Sequence, residues 1–159
     1  MTHYKILETP LGQLRLVSNG RALVRIEFPH QHGSDGEASN DEVLQQCERQ
    51  LQEYFAGERQ AFQLPLAAQG TEFQQRVWTA LQAIPFGERR SYRDIADGIG
   101  NRKAVRAVGA ANGKNPIPIV VPCHRVIGSD GSLTGFAGGL AAKQLLLQLE
   151  SRQIGMAME

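Results

Sequence analysis

The chain has 159 residues, 42% of them hydrophobic and 21% charged, and its 17 Lys and Arg against 16 Asp and Glu leave a formal net charge of +1. That is ordinary for a globular protein, and no apolar run approaches the roughly 20 residues of a membrane-spanning helix, so no membrane partner is expected. The two cysteines, Cys47 and Cys123, have neither a partner spacing nor paired histidines, which argues against a disulfide scaffold and against a metal site.

The length suits one domain or two small ones, and two is the preferred reading: 1–69 as a structural domain and 70–159 as a functional one. Charge divides the same way. Residues 1–69 carry six Lys and Arg and nine Asp and Glu, whereas 70–159 carry eleven and seven. Between Asp97 and Asp130 there is no acid, yet Arg102, Lys103, Arg106, Lys114 and Arg125 are present. A stretch of one sign points to an anionic partner. The start, Met1-Thr2-His3-Tyr4, opens into a strand pattern and not into a signal or transit peptide, so a bacterial cytoplasmic or nucleoid location is expected.

In chain order, 3–8 and 13–18 alternate with period two, and Asn19-Gly20 predicts a type I′ hairpin turn before Ala22, Val24, Ile26 and Phe28. A polar loop over 30–40 leads to a helix in which Leu44, Cys47, Leu51, Tyr54 and Phe55 share a face, and Gly57 closes it. Cys47 is read as core. Segment 62–70 is read as the linker. Thr71-x-x-Gln74 is a capping box for a helix with Phe73, Val77, Leu81 and Ile84 inward, and Pro85 and Gly87 end it. Ser91 caps the next helix, which stops at Gly100, and Asn101 caps a further one over about 102–112. Two short helices joined by a tight turn form a helix-turn-helix pattern. The expected fold class is α+β: a small mixed domain with an antiparallel sheet, then a mainly helical, winged-helix-like domain.

The second helix of that pair presents Arg106 among Ala104, Ala107, Gly109, Ala110 and Ala111. Readers of the major groove present several long polar side chains, whereas a small-residue helix with one inserting arginine suits sequence-independent minor-groove contact. Just downstream lies Pro122-Cys123-His124-Arg125, after the apolar run 117–121. A thiolate is the reactive form of cysteine, and neighbouring His and Arg lower a thiol's pKa. Neighbours on an extended strand point to opposite faces, so Cys123 and His124 cooperate only through a bend or a bridging water. Glu150, at the end of the helical run 140–149, is the candidate carboxylate to hold His124 in its basic tautomer.

Asn115-Pro116-Ile117-Pro118-Ile119-Val120-Val121-Pro122-Cys123-His124-Arg125-Val126-Ile127, with Gly135-Phe136-Ala137-Gly138-Gly139-Leu140 downstream, closely resembles the methylated-DNA–protein-cysteine methyltransferases, also called alkylguanine-DNA alkyltransferases. The likeness spans 71–150 and extends more loosely over the N-terminal segment through Thr9-Pro10-Leu11-Gly12. It implies DNA repair by direct reversal: a guanine alkylated at O-6, or a thymine alkylated at O-4, is flipped from double-stranded DNA and its alkyl group passes to Cys123. By the same resemblance His124 is a water-mediated base oriented by Glu150, and Tyr92 gives a proton toward the leaving guanine. Asn115 positions the turn before the cysteine, and Arg106 is the finger that fills the vacated stack. Tyr92, Arg102, Lys103, Ala104, Ala107, Gly109, Ala110 and Arg125 make up the rest of the DNA-binding surface. Phe136, Ala137 and Gly138 line the base pocket, with Ala137 leaving room for alkyl groups larger than methyl.

An S-alkylcysteine has no easy leaving group, so the resemblance implies a single-turnover methyltransferase that needs no cofactor or metal and acts as a monomer, with cooperativity along DNA left open. Three other readings stay open at this level: a non-catalytic damage-recognition relative, a helix-turn-helix regulator with an incidental thiol, and a thiol hydrolase. Cys123 argues against the first.

Overall fold

The structure, a computed structural model, describes residues 1–158, with side chains described through Gln153. Two compact units make it up, Met1–Gln69 and Gly70–Glu159.

In the first unit, β1 (His3–Thr9), β2 (Gly12–Ser18) and β3 (Leu23–Glu27) form an antiparallel meander, and the short strand β4 (Glu37–Ala38) adds to β1 in parallel, giving the order β3-β2-β1-β4. The sheet is therefore mixed where a purely antiparallel one was expected. β4 lies inside the stretch read as a polar loop. It is an exposed edge held by main-chain bonds alone, Glu37 N to Thr2 O and Ser39 N to Tyr4 O, so no apolar pattern announces it.

The β2–β3 connection also departs from expectation. A type I′ turn needs positive φ at both central residues, but Gly20 has φ 91° while Asn19 does not enter that region. Asn19 instead folds the turn with its side chain, Oδ1 accepting from the amides of Arg21 and Ala22 at 2.9 Å each. A register shift at Val17/Ser18 then brings Leu23 inward beside Ile26 and Phe28.

Helix α1 (Glu42–Phe55) packs on this sheet. Asp41 caps it by accepting from the Leu44 amide at 2.8 Å, and Leu44, Cys47, Leu51 and Tyr54 are fully buried on its inner face. Residues expected as linker begin differently: Leu66 bridges to Leu23, with Leu23 N donating to Pro65 O and Ala67 N to Leu23 O. The chain leaves the first unit only after position 67.

The second unit opens on α2 (Glu72–Gln82), whose reciprocal capping box joins Thr71 and Gln74 at 2.9 and 3.1 Å. Strand β5 (Arg90–Ser91) leads into α3 (Tyr92–Gly98), capped by Ser91 and Asp94 in the same reciprocal way. Gly100, at φ 78°, turns the chain toward α4 (Val105–Gly113). Trp78 Nε1 donates to Ala111 O at 2.9 Å and locks α2 to α4. β6 (Val126–Ile127) pairs in parallel with β5, and α5 (Leu140–Met158) completes the unit.

Candidate functional site

The site is built on α4, on the coil after it, on the loop at 134–139 and on one face of α5. On α4, Val108 and Ala111 are buried, Arg106, Ala107 and Ala110 are exposed, and Val105 and Gly109 are half-buried, as is Ala104 in the turn before it. Small side chains thus cover the outer face and one arginine rises from it. Arg102 and Lys103 are exposed on a 3-10 turn that precedes α4. Asn101 makes no side-chain cap, contrary to expectation, because the chain enters the helix through that tighter turn.

From α4 the backbone does not run as a strand into the cysteine. Asn115 is buried, its Nδ2 donating to Val121 O at 2.8 Å while its Oδ1 accepts from the Ile117 amide at 3.0 Å. Between those anchors Ile119 adopts φ 75°, alone among the described non-glycine residues. A β-branched residue there costs roughly 1–3 kcal/mol and persists only where its surroundings impose it. Residues Cys123–Arg125 then form a 3-10 turn, so a bend replaces the extended geometry expected for Cys123 and His124.

Cys123 is 4% exposed. Burial pushes its thiol up to about 11, against the opposing pull of the Asn115 side chain and the Lys143 charge. The lowered pKa expected from neighbouring His and Arg is thus not the resting state, since desolvation outweighs both favourable groups. His124 is fully buried, and its Nε2 lies 2.7 Å from Glu150 Oε2. Burial lowers the imidazole's pKa despite that carboxylate, so the ring is neutral at physiological pH. A carboxylate only accepts, which puts the ring proton on Nε2 and leaves a lone pair on Nδ1. Among buried polar atoms, His124 Nδ1 has no hydrogen-bond partner.

Glu150 is 1% exposed. Burial alone would raise its pKa, but the hydrogen bond with His124, then the hydrogen bond and charge of Arg125, outweigh it and hold the carboxyl at about 2. Arg125 was expected on the DNA surface and is not there. Its side chain is buried, with Nε 2.9 Å from Glu150 Oε1, Nη2 3.0 Å from Oε2 and Nη1 2.7 Å from Ile84 O. A guanidinium committed to a carboxylate and a carbonyl in the interior is unable to reach a phosphate.

Tyr92 stands at the start of α3, where its ring faces Gly109 and its hydroxyl faces Gly135. The hydroxyl lies 3.0 Å from Thr134 Oγ1 and 3.3 Å from Thr134 O. Phe136 is buried, and Ala137 and Gly138 are half-buried beside it. Two participants escaped the sequence reading. Thr134 holds the Tyr92 hydroxyl, and Lys143, fully buried, donates from Nζ to Val126 O at 2.6 Å and Thr134 O at 2.8 Å. Positions 143, 146, 147 and 150 recur at helical spacing with Leu146 and Leu147, a signal that places Lys143 on the same face as Glu150.

Comparison with known families decides what this arrangement belongs to. The model of the 6-O-methylguanine DNA methyltransferase DNA-binding domain matches residues 72–152, and that of the ribonuclease-like domain of the same proteins matches 2–68. The chain belongs to the 6-O-methylguanine DNA methyltransferase family. Within it, the methylated-DNA–protein-cysteine methyltransferase of Methanosarcina acetivorans is 49% identical over 152 residues, covering 93% of this chain and 97% of that protein. The constitutive one of Bacillus subtilis is 47% identical over 158 residues, covering 94% and 96%. The crystal structure of the O6-methylguanine methyltransferase of Mycobacterium tuberculosis superposes with a TM-score of 0.89 at 46% identity, covering 96% of this chain and 94% of that one. The M. tuberculosis protein in complex with DNA gives 0.89 at 47% identity, covering 95% and 94%. The family membership accounts for the mixed α+β architecture and for the helix-turn-helix beside a buried cysteine. Among the described residues, no helix is long and apolar enough to cross a membrane and no group of three or more His, Cys, Asp or Glu is arranged to hold a metal ion.

Proposed function

We propose that this protein repairs DNA by direct reversal, moving the alkyl group from O-6 of a flipped guanine in double-stranded DNA to Cys123 Sγ in one irreversible event. The observation that carries this reading is the buried His124–Glu150 contact of 2.7 Å, because it leaves the Nδ1 lone pair on the residue next to Cys123, the one cysteine in the sequence of the second unit.

The chemistry requires a base. A thiol near 11 is ionised to about one part in 10⁴ at neutral pH, and positioned proton transfer contributes typically 10²–10⁴-fold. His124 Nδ1, acting through a water, takes the thiol proton. Sγ attacks the alkyl carbon in line, the S–C bond forms, and the C–O bond to guanine breaks. Tyr92 exchanges its contact with Thr134 for the guanine and gives the leaving base its hydroxyl proton; the tyrosinate then takes a proton from solvent and His124 returns the thiol's proton to solvent, so the net transfer is of one proton from thiol to base. Asn115 holds the turn that presents the cysteine.

DNA meets Ala104 in the turn before α4 and Ala107, Gly109 and Ala110 on the helix, with Arg102 and Lys103 on phosphates. A base inside the stack is out of reach of a thiol, so extrusion is needed, and Arg106 fills the space it leaves. Phe136 supplies an apolar wall for the base, and Ala137 and Gly138 let its edge approach the backbone. The product thioether has no acidic proton and no leaving group, which makes the event stoichiometric and independent of any cofactor. The protein works in the bacterial cytoplasm or nucleoid. Replacing Cys123 by Ala is expected to abolish transfer from methylated duplex while duplex binding persists; transfer retained by Cys123→Ala would overturn the assignment.

A further inference from the structure

Asn112 has no part in the mechanism above, yet it is the side chain of α4 hardest to explain by packing. It lies on the inner face with Val108 and Ala111 and is 2% exposed, a place where helical spacing calls for an apolar residue. Its Nδ2 donates to Cys123 O at 3.4 Å. A carbonyl only accepts, so Asn112 Oδ1 is turned the other way, and it has no hydrogen-bond partner among the described residues. An amide oxygen buried unpaired costs more than one long contact returns. A leucine of similar volume would carry no such cost, so the amide itself calls for an explanation.

His124 Nδ1 is a second buried acceptor without a partner. Both belong to residues that meet Cys123, His124 as its neighbour in the chain and Asn112 through its carbonyl. Two acceptors do not satisfy each other. A water satisfies both at once, because it has two hydrogens to give, and its oxygen is then left to accept from the thiol. We propose that Asn112 is a positioning residue of the transfer reaction: its Oδ1 accepts from the water that carries the Cys123 proton to His124 Nδ1 and so fixes that water's orientation. The inference rests on the readings of Cys123 as alkyl acceptor and of His124 as water-mediated base.

The protons balance. Before the step the water donates to Nδ1 and to Asn112 Oδ1 and accepts from the thiol. It passes the first of those hydrogens to Nδ1 and takes the thiol's in return; it then donates to the thiolate, accepts from Nδ1–H and still donates to Oδ1. Every group is partnered on both sides of the step, and nothing is oxidised or reduced. α4 is fixed where this is needed, since the carbonyl of Ala111, the residue before, is held by Trp78 Nε1 at 2.9 Å. The charged groups about Cys123 and His124 are Glu150 and Lys143 from α5 and Arg125 from the same turn. Asn112 does not titrate, so its removal alters the path of the proton and leaves those charges in place.

The test needs no DNA. The full-length protein is alkylated with iodoacetamide across pH, and the Cys123 peptide is quantified by mass apart from that of Cys47. Asn112→Leu keeps the volume and removes the acceptor. At neutral pH it is expected to slow the reaction about tenfold, and the loss is expected to close as pH rises toward about 11, where the thiol ionises unaided. In a His124→Gln background, which keeps a donor for Glu150 and has no base, adding Asn112→Leu is expected to change nothing further. A wild-type rate in Asn112→Leu overturns the proposal. So does the same loss in the His124→Gln background, which would mean that Asn112 only props the turn through Cys123 O. Should a variant fail to fold, a high-resolution crystal structure of the wild type decides: one ordered water within about 3.2 Å of both Asn112 Oδ1 and His124 Nδ1 supports the assignment, and no water shared between them refutes it. The readings beneath fail separately, the base by a wild-type rate in His124→Gln and the acceptor by transfer from methylated duplex in Cys123→Ala.

Discussion

Replacing Glu150 by Gln separates what the carboxylate does for folding from what it does for chemistry. Oε1 accepts from Arg125 Nε at 2.9 Å and the Gly87 amide at 3.3 Å, while Oε2 accepts from His124 Nε2 at 2.7 Å and Arg125 Nη2 at 3.0 Å. An amide keeps one of these oxygens and turns the other into a donor. With the NH₂ group toward His124, the imidazole is driven to carry its proton on Nδ1, and the base is lost; with it toward Arg125 Nε, two donors oppose each other. Breaking a buried pair by removing one partner costs about 3–5 kcal/mol, and the retained oxygen offsets part of that, so a loss of roughly 2–4 kcal/mol is expected in chemical denaturation. A wrong tautomer at a catalytic imidazole costs up to about 10⁴-fold, so single-turnover transfer from methylated duplex should fall by about 10²–10⁴ at neutral pH.

The pH dependence supplies an internal control. A thiol at about 11 ionises unaided as pH rises toward that value, so the deficit of Glu150→Gln should narrow there. Stability follows the opposite end of the scale. The Glu150 carboxyl sits at about 2 in the fold against 4.5 ordinarily, so its contribution is complete above the ordinary value and is lost as pH falls toward about 2. His124, also lowered by burial, adds a loss that begins as pH falls below about 6.5. The variant should lack the Glu150 part of this acid sensitivity. A folded Glu150→Gln that transfers within a factor of about three of wild type at neutral pH would refute the tautomer argument.

Arg106→Ala, assayed by single-turnover kinetics, should slow repair of a lesion paired in duplex far more than reaction with the free modified base, which leaves no stack to fill; equal losses would remove the finger role. Gly70→Ala should destabilise the protein by about 1–3 kcal/mol, because a Cβ there would overlap the Trp78 ring and that ring is tethered to Ala111 O; unchanged thermal unfolding monitored by tryptophan fluorescence would count against it.

Elements with strong local signals were legible from the residues. The capping boxes at Thr71 and Ser91 follow from side-chain chemistry within a single turn and the apolar face of α1 from helical spacing, and the mixed α+β class agrees with the family. Features set by tertiary context were not. β4 has no apolar period to detect, and the Asn19 turn takes its shape from a side-chain bond in place of the backbone geometry that Asn-Gly favours. The coil over 116–122 reads as a strand by composition, yet Asn115 and the Ile119 φ of 75° bend it. Arg125 illustrates the limit of charge counting: in sequence it extends a basic stretch, whereas in space it is the partner of a glutamate 25 residues away. Lys143 lay in plain view on the Glu150 face, hidden by the habit of reading a lysine as solvated.

The central claim is that one alkyl group ends on one cysteine. The direct measurement is intact mass spectrometry of the protein incubated with excess duplex containing a single O-6-methylguanine, followed by peptide mapping. The expected result is a gain of one methyl group per protein, confined to the Cys123 peptide, with no further demethylation once the protein is consumed. Methyl groups removed in excess of protein, or a modification mapped to Cys47 or to no cysteine, would contradict it.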